Sequence, residues 1–210
     1  EKKNVFLTSA FKDGLFEVQD AGSQKIAEFL EVKPGMRVVD SCAGAGGKTL
    51  HLAAMMENKG QIIAMDIHGW KLTELKRRAK RAGAHNIETR EITDTKVIKR
   101  LHEKADRLLI DAPCSGLGVL KRNPDSKWKI DQDFIDRIKK EQQQILQDYS
   151  KIIRKGGKLV YATCSILPSE NNEQVAEFLK NNPDFKLVKD EKVMPSSGFD
   201  GFYMALIERI

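Results

Sequence analysis

Cysteine is scarce in this chain. Three thiols, Cys42, Cys114 and Cys164, stand in 210 residues, with no Cys-x-x-Cys spacing among them. So odd and unpaired a set excludes a disulfide framework and a zinc cage, and it points to a reducing, cytoplasmic setting. Long apolar runs are also missing. No stretch approaches the roughly eighteen residues of a membrane span, and the opening Glu1-Lys2-Lys3-Asn4-Val5-Phe6 lacks the apolar centre of a secretion signal. Neither a membrane nor a secretory role is expected. The four histidines, His51, His68, His85 and His102, are scattered along the chain and are given no catalytic role. The sequence has no internal repeat and no low-complexity tract. A start on Glu1 rather than Met is the mark of a fragment, so a flanking domain is expected outside the chain.

Hydrophobic residues make up 40% of the chain, enough for one core and too few for two full domains. Residues 1–210 are therefore read as a single domain with a lead-in over 1–20, acting as a monomer. Lys and Arg number 36 against 30 acidic residues, a net charge of +6. That balance favours a polyanionic partner such as nucleic acid at modest salt. A lysine-rich surface kept for solubility fits the charge equally well.

Short apolar runs predict strands at Met36 to Asp40, Gln61 to Asp66, Ile87 to Ile92, Arg107 to Asp111, Lys158 to Thr163, Phe185 to Val188 and Phe202 to Glu208. Helical periodicity covers Ala21 to Glu31, Lys48 to Met56, Gly69 to Gly83, Asp131 to Arg154 and Ser169 to Asn181. Alternation of this kind implies an α/β fold with helices on both faces of a doubly wound, mostly parallel, Rossmann-like sheet of seven strands. The last two strands lie too close in sequence for a crossover helix and should pair antiparallel, an ending typical of the class I methyltransferase variant.

The first strand runs out at Asp40 into Ser41-Cys42-Ala43-Gly44-Ala45-Gly46-Gly47-Lys48-Thr49 and then a helix, placing a glycine-rich turn where doubly wound folds bind nucleotides. A phosphate-binding P-loop would need glycine at Cys42, and a dinucleotide fingerprint would need Gly or Ala at Thr49. Each fails at one position. What remains suits an adenosine-containing cofactor without phosphates. Asp66, at the end of the second strand, can accept hydrogen bonds from both ribose hydroxyls, or alternatively cap the helix that follows. Asp94 is placed to reach the adenine amino group; a surface turn at Thr93-Asp94-Thr95 is the other reading.

The fourth and fifth strands lead into Asp111-Ala112-Pro113-Cys114-Ser115-Gly116 and Ala162-Thr163-Cys164-Ser165. Both cysteines follow carboxyl ends of strands, where open parallel sheets bind ligands, so the thiols should face one cleft. A lone cysteine is more often core packing; two such, each followed by serine, argue for chemistry. Lys48 opens a helix, where the dipole disfavours a cation, so a functional reason competes with a solvated lysine. Beyond Cys114, Lys121, Arg122, Lys127 and Lys129 flank Trp128 in a loop. Basic residues around one aromatic suit single-stranded RNA, and a solvated loop with Trp128 packed inward is the alternative.

Together these motifs resemble the Nol/Nop/Sun family of RNA cytosine-5 methyltransferases over nearly the whole chain. The two cysteine segments look like its signatures, and Phe16-Glu17-Val18-Gln19-Asp20 and Gly201-Phe202-Tyr203-Met204-Ala205 look like further family segments. The resemblance implies S-adenosylmethionine as cofactor, held by Cys42, Ala43, Gly44, Ala45, Gly46, Gly47, Lys48, Asp66, Ile67, Lys71, Asp94 and Asp111. It also implies an RNA substrate, ribosomal or transfer, with an unpaired or flipped cytosine. Carbon 5 of cytosine is a poor nucleophile until sulfur adds at carbon 6, and by similarity Cys164 is that sulfur while Cys114 assists release. Asp111 would support charge at ring nitrogen 3 and Lys48 would reach the base carbonyl oxygen or lower a thiol pKa. Family loops usually read Ala-Pro-Gly-Gly-Lys where this chain has Gly44-Ala45-Gly46-Gly47-Lys48, and Lys71 stands where Arg is common. The family's extra RNA-binding module is absent from the chain. Two rivals stay open: a methyltransferase on a small molecule or protein with structural cysteines, and a non-catalytic RNA assembly factor. An oxidoreductase is disfavoured because the dinucleotide spacing fails.

Overall fold

The structure is a computed structural model that describes residues 4–210. Of the expected lead-in, residues 1–3 lie outside the described residues. The elements in chain order are α1 (Ser9–Lys12), α2 (Ala21–Phe29), β1 (Arg37–Asp40), α3 (Gly47–Met55), β2 (Gln61–Asp66), α4 (Gly69–Arg81), β3 (Ile87–Glu91) and α5 (Thr95–Lys99). There follow β4 (Ala105–Asp111), α6 (Gln132–Tyr149), β5 (Ile153–Thr163), α7 (Asn172–Asn181), β6 (Phe185–Val193) and β7 (Phe202–Arg209). All seven strands form one sheet in the order β3-β2-β1-β4-β5-β7-β6.

The central strands read as continuous apolar runs because both faces are covered. On one face Val39, Ile63, Leu108, Ile110 and Tyr161 pack with Leu146 of α6 and with Val175 and Phe178 of α7. Their sequence neighbours Val38, Ile62, Leu109, Val160 and Ala162 point the other way, onto Ile26 of α2 and Leu52 of α3. Five parallel strands account for β3 through β5, whereas β7 runs antiparallel to both β5 and β6. The expected antiparallel ending is therefore present. Strands β3 and β6 form the edges and carry charges, such as Glu88 and Arg90 on one and Lys186, Lys189 and Lys192 on the other, which discourage pairing with another sheet.

Three expected boundaries are corrected. Helix α6 stops at Tyr149 instead of reaching Arg154: a 3-10 turn at Ser150–Ile152 follows, and β5 starts at Ile153, where Ile152 and Ile153 both enter the core and Gly156 adopts φ +74°. Strand β6 runs to Val193 instead of Val188, since β7 pairs with its charged end through to Phe202. The helix expected from Ser169 begins at Asn172, after a 3-10 turn at Pro168–Glu170. Among the described residues no helix is long and apolar enough to cross a membrane.

Candidate active site

Strand order reverses between β1 and β4, which puts a crevice at the carboxyl edge where their following loops diverge. A cavity of about 400 Å³ lies there. The loop after β1 lines it with Ser41, Cys42 and Gly44; the end of β2 and the turn into α4 add Asp66, Ile67 and His68, and α4 adds Lys71; the end of β4 and the loop after it add Asp111 and Pro113; and α6 closes it with Glu141, Ile145 and Tyr149. Gly46 adopts φ +89° and caps α3 with no side chain, and a β-carbon there would sit 2.5 Å from Leu75 Cγ. Only glycine allows this turn.

Asp66 is pinned by the loop it faces. Its Oδ2 accepts from the Gly44 backbone N at 2.9 Å and its Oδ1 from the His68 N at 2.9 Å. The helix that follows has no side-chain cap, so Asp66 holds the loops and does not cap α4, and each carboxylate oxygen keeps a further lone pair for a ligand. Lys71 lies 3.9 Å from the same carboxylate. The donor set fits an adenosyl group, from whose ribose hydroxyls a carboxylate at the end of β2 can accept hydrogen bonds.

Lys48, Asp111, Cys114 and Cys164 come together beside this cavity. Lys48 Nζ donates to Asp111 Oδ2 at 2.6 Å, with only 15% of the lysine side chain exposed, so the solvated-lysine alternative is set aside. The Phe202 ring lies 5.9 Å below the ammonium. Burial works against the Lys48 charge, but the Asp111 and Asp40 carboxylates outweigh it and hold its pKa above the ordinary value. The sulfurs of Cys114 and Cys164 are 3.2 Å apart. That hydrogen bond, helped by Lys48 and opposed by burial and Asp111, pulls the Cys164 thiol below its ordinary pKa. The same bond, with burial, pushes Cys114 up. These opposite directions favour Cys164 over Cys114 as the more acidic thiol of the pair. Burial pushes the Cys42 thiol up, which leaves it a poor nucleophile.

A buried polar network that the sequence reading did not find lies under the thiols. Ser115 and Ser165, one residue after each cysteine, both donate to Glu170 Oε2, the former at 2.5 Å. Glu170 Oε1 accepts from the Ser115 N at 2.8 Å and from Gln142 Nε2 at 3.0 Å. The repeated Cys-Ser pair was the available signal; Glu170 itself sits in a Pro-Ser-Glu turn that reads as surface. Asp40 was also missed. It is 1% exposed, accepts from Thr49 Oγ1 at 2.7 Å, and burial raises its pKa to about 7.

Other expected residues lie elsewhere. Ala43 is buried and its N donates to Met65 O, while the Ala45 carbonyl accepts from Arg78 Nη1 at 2.8 Å. Gly47 opens α3 and lines a separate pocket with Phe16 and His51. Asp94 caps α5 by accepting from the Lys96 N at 2.7 Å, and it lines a neighbouring cavity of about 560 Å³ that shares Ile92, Ile145 and Tyr149 with the first. In the loop after β4, Trp128 is 80% exposed instead of packed inward, with Lys127 Nζ 4.8 Å over its ring. Lys121 and Lys129 are exposed, and Arg122 is paired with the buried Asp200 carboxylate.

A seven-stranded sheet of this order, ending in an antiparallel strand and carrying a glycine turn at its reversal, defines the class I methyltransferase fold. Within that class, the chain belongs to the 16S rRNA methyltransferase RsmB/F family, whose sequence model matches residues 27–207. This bears out the resemblance carried by the two cysteine motifs. The probable ribosomal RNA small subunit methyltransferase B of Synechocystis sp. is 40% identical over 177 residues, covering 84% of this chain and 40% of that protein. The crystal structure of PH0851 superposes with a TM-score of 0.95 at 34% identity, over 100% of this chain and 50% of the other. NSun6 from Pyrococcus horikoshii, solved with SFG, gives 0.89 at 30% identity over 99% of this chain and 56% of that one. The chain spans about half the length of these relatives.

Proposed function

We propose that this chain methylates carbon 5 of a cytosine in RNA, with Cys164 as nucleophile and residues 1–210 acting as one catalytic domain and a monomer. The observation that carries the reading is the 3.2 Å thiol pair, polarised toward a Cys164 thiolate and set against the Lys48–Asp111 pair. The name of the Synechocystis relative favours ribosomal RNA of the small subunit as the substrate class, with transfer RNA the second reading. Three free thiols suit a cytoplasmic setting.

The Cys164 thiolate adds to carbon 6 of the base, and the electron pair moves onto carbon 5 with enamine character. Lys48 donates to the base carbonyl oxygen and Asp111, in its protonated form, donates to ring nitrogen 3, so charge that develops in the ring falls on donors at hand. Gly44, Asp66, Ile67 and Lys71 would hold S-adenosylmethionine, which would supply the electrophilic methyl group taken by carbon 5. Release then needs a base at carbon 5: Cys114 as thiolate, its own proton having passed to solvent, or a water it holds. As the carbon 5 proton leaves, the carbon–sulfur bond breaks and Cys164 recovers its electron pair. The ring must leave its stack for any of this, and Lys121, Lys127, Trp128 and Lys129 are the residues proposed to hold the unpaired strand, with Arg122 bracing their loop.

Denaturing gels with radiolabelled RNA test the scheme. Cys164→Ala should abolish methyl transfer, whereas Cys114→Ala should permit attack, slow release and leave a retarded protein–RNA band. An active parent enzyme whose Cys114→Ala variant gives no such band counts against the division of labour.

A further inference from the structure

We propose that Glu170 is a positioning residue whose one carboxylate holds both cysteine loops and so sets the reach of one thiol to the other. Its catalytic consequence rests on the reading above; its geometric consequence does not. Cys114-Ser115-Gly116-Leu117 and Cys164-Ser165-Ile166-Leu167 repeat one pattern after two different strands. In each, the serine Oγ accepts the N–H of the leucine two residues on, at 3.4 Å for Leu117 and 3.1 Å for Leu167, and donates to Glu170 Oε2. Each reactive sulfur is thus one residue away from a hydroxyl anchored on the same oxygen atom. Gln142 Nε2 bridges Glu170 Oε1 to the Pro113 carbonyl at 2.9 Å, which ties the Cys114 loop a second time. Tyr161 OH donates to the Glu170 carbonyl at 2.8 Å and fixes the residue against β5.

Glu170 is 0% exposed and its side-chain partners are all neutral donors. A carboxylate buried this way is expensive for folding alone, and a neutral residue would be the cheaper filler. Only a group with two acceptor oxygens and no hydrogen can receive donors from both loops and from α6 together. A glutamine here would aim an amide N–H₂ at one set of donors and release it.

The test reads sulfur proximity without RNA or cofactor. Diamide takes up the two thiol hydrogens as a Cys114–Cys164 bond forms, and mass spectrometry of peptides follows its rate. Glu170→Gln should slow this cross-link about tenfold as the loops separate, and kcat for methylation should fall roughly a hundredfold with the KM for RNA unchanged, the scale expected of a misplacement near 1 Å. Ser115→Ala and Ser165→Ala, which keep the buried acid, should each slow the cross-link by a smaller factor. Glu170→Gln protein that melts like the parent and cross-links at the parent rate overturns the proposal. If that variant does not fold, parent rates in both serine variants overturn it instead, and slowed rates support it. A parent that cross-links readily, slows on Glu170→Gln, and methylates no RNA supports the clamp and counts against the functional reading alone.

Discussion

The Lys48–Asp111 pair makes opposite demands on Cys164, and separating them is the sharpest check on the electrostatics of the site. Lys48→Met removes the cation that favours the thiolate while leaving Asp111, which opposes it. At the roughly 5 Å over which opposite charges shift a pKa, a unit charge in an effective dielectric of about 20 is worth roughly 3 kcal/mol. Water reaches this site, since 27% of the Asp111 side chain is exposed, and screening leaves about half. About 1.4 kcal/mol is tenfold in thiolate population, so the midpoint for alkylation of Cys164 should rise by about one pH unit, with a rate near pH 7 about tenfold lower. Asp111→Asn removes the opposing charge and should move the midpoint down by a similar amount. The sign follows from the direction of each influence: losing a cation raises a thiol pKa, losing an anion lowers it. Iodoacetamide labelling of the Cys164 peptide across the neutral to alkaline range, read by mass spectrometry, gives both midpoints. Shifts of the same sign, or no shift on Lys48→Met, would refute the arrangement.

Gly46→Ala should destabilise the fold by about 1–3 kcal/mol in urea unfolding, because a left-handed backbone and contact with Leu75 both penalise the new methyl group, whereas Gly47→Ala, with nothing within 4 Å of its β-carbon, should stay within about 0.5 kcal/mol of the parent. Asp40, raised from 3.8 to about 7 by burial, holds its proton in the folded state through a range where the unfolded chain has lost it. Its contribution is full below the unfolded value and is lost as pH rises through the folded one; Asp40→Asn should therefore gain thermal stability relative to the parent between about pH 4 and 8, and a constant difference across that range would count against it. Trp128→Ala should weaken binding of unpaired RNA roughly fivefold to a hundredfold with the salt slope unchanged, while Lys127→Ala should lower that slope by about one, both read by filter binding at several salt concentrations.

Much of the fold was legible because buried parallel strands have to be apolar throughout, and the runs ending at Asp40, Asp66, Asp111 and Thr163 stop where the chain leaves the core. What escaped lacks that signal. Helix α5 has five residues and buries only Ile98. The distal half of β6 is Lys189-Asp190-Glu191-Lys192, charged because it lies on a sheet edge, and only its pairing with β7 makes it a strand. The thiols, Lys48 and Asp111 could be placed because each lies at or just beyond a recognisable strand or helix end. Glu170 could not, since its partners are brought in by packing, Ser115 being 55 positions away in sequence, and although Asp40 ends a legible strand, its near-complete burial is not written there.

The antiparallel last strand does more than close the sheet. Lying between β5 and β6, β7 begins at Phe202, so the Gly201 backbone meets the loop after β4 at the same level as the thiols. Gly201 N donates to Gly118 O at 2.8 Å, and Gly118 N donates to the Cys164 carbonyl at 2.9 Å. A β-carbon on Gly118 would come within 2.2 Å of Gly201 O, so three chain segments stack here through backbone alone. Glu170 accepts from a serine of each cysteine loop, this glycine contact joins the two loops a second time, and the Phe202 ring at the head of β7 lies 5.9 Å from Lys48 Nζ. The loops that carry the two sulfurs are therefore tied to the start of β7 as well as to each other, a contact that depends on β7 lying beside β5.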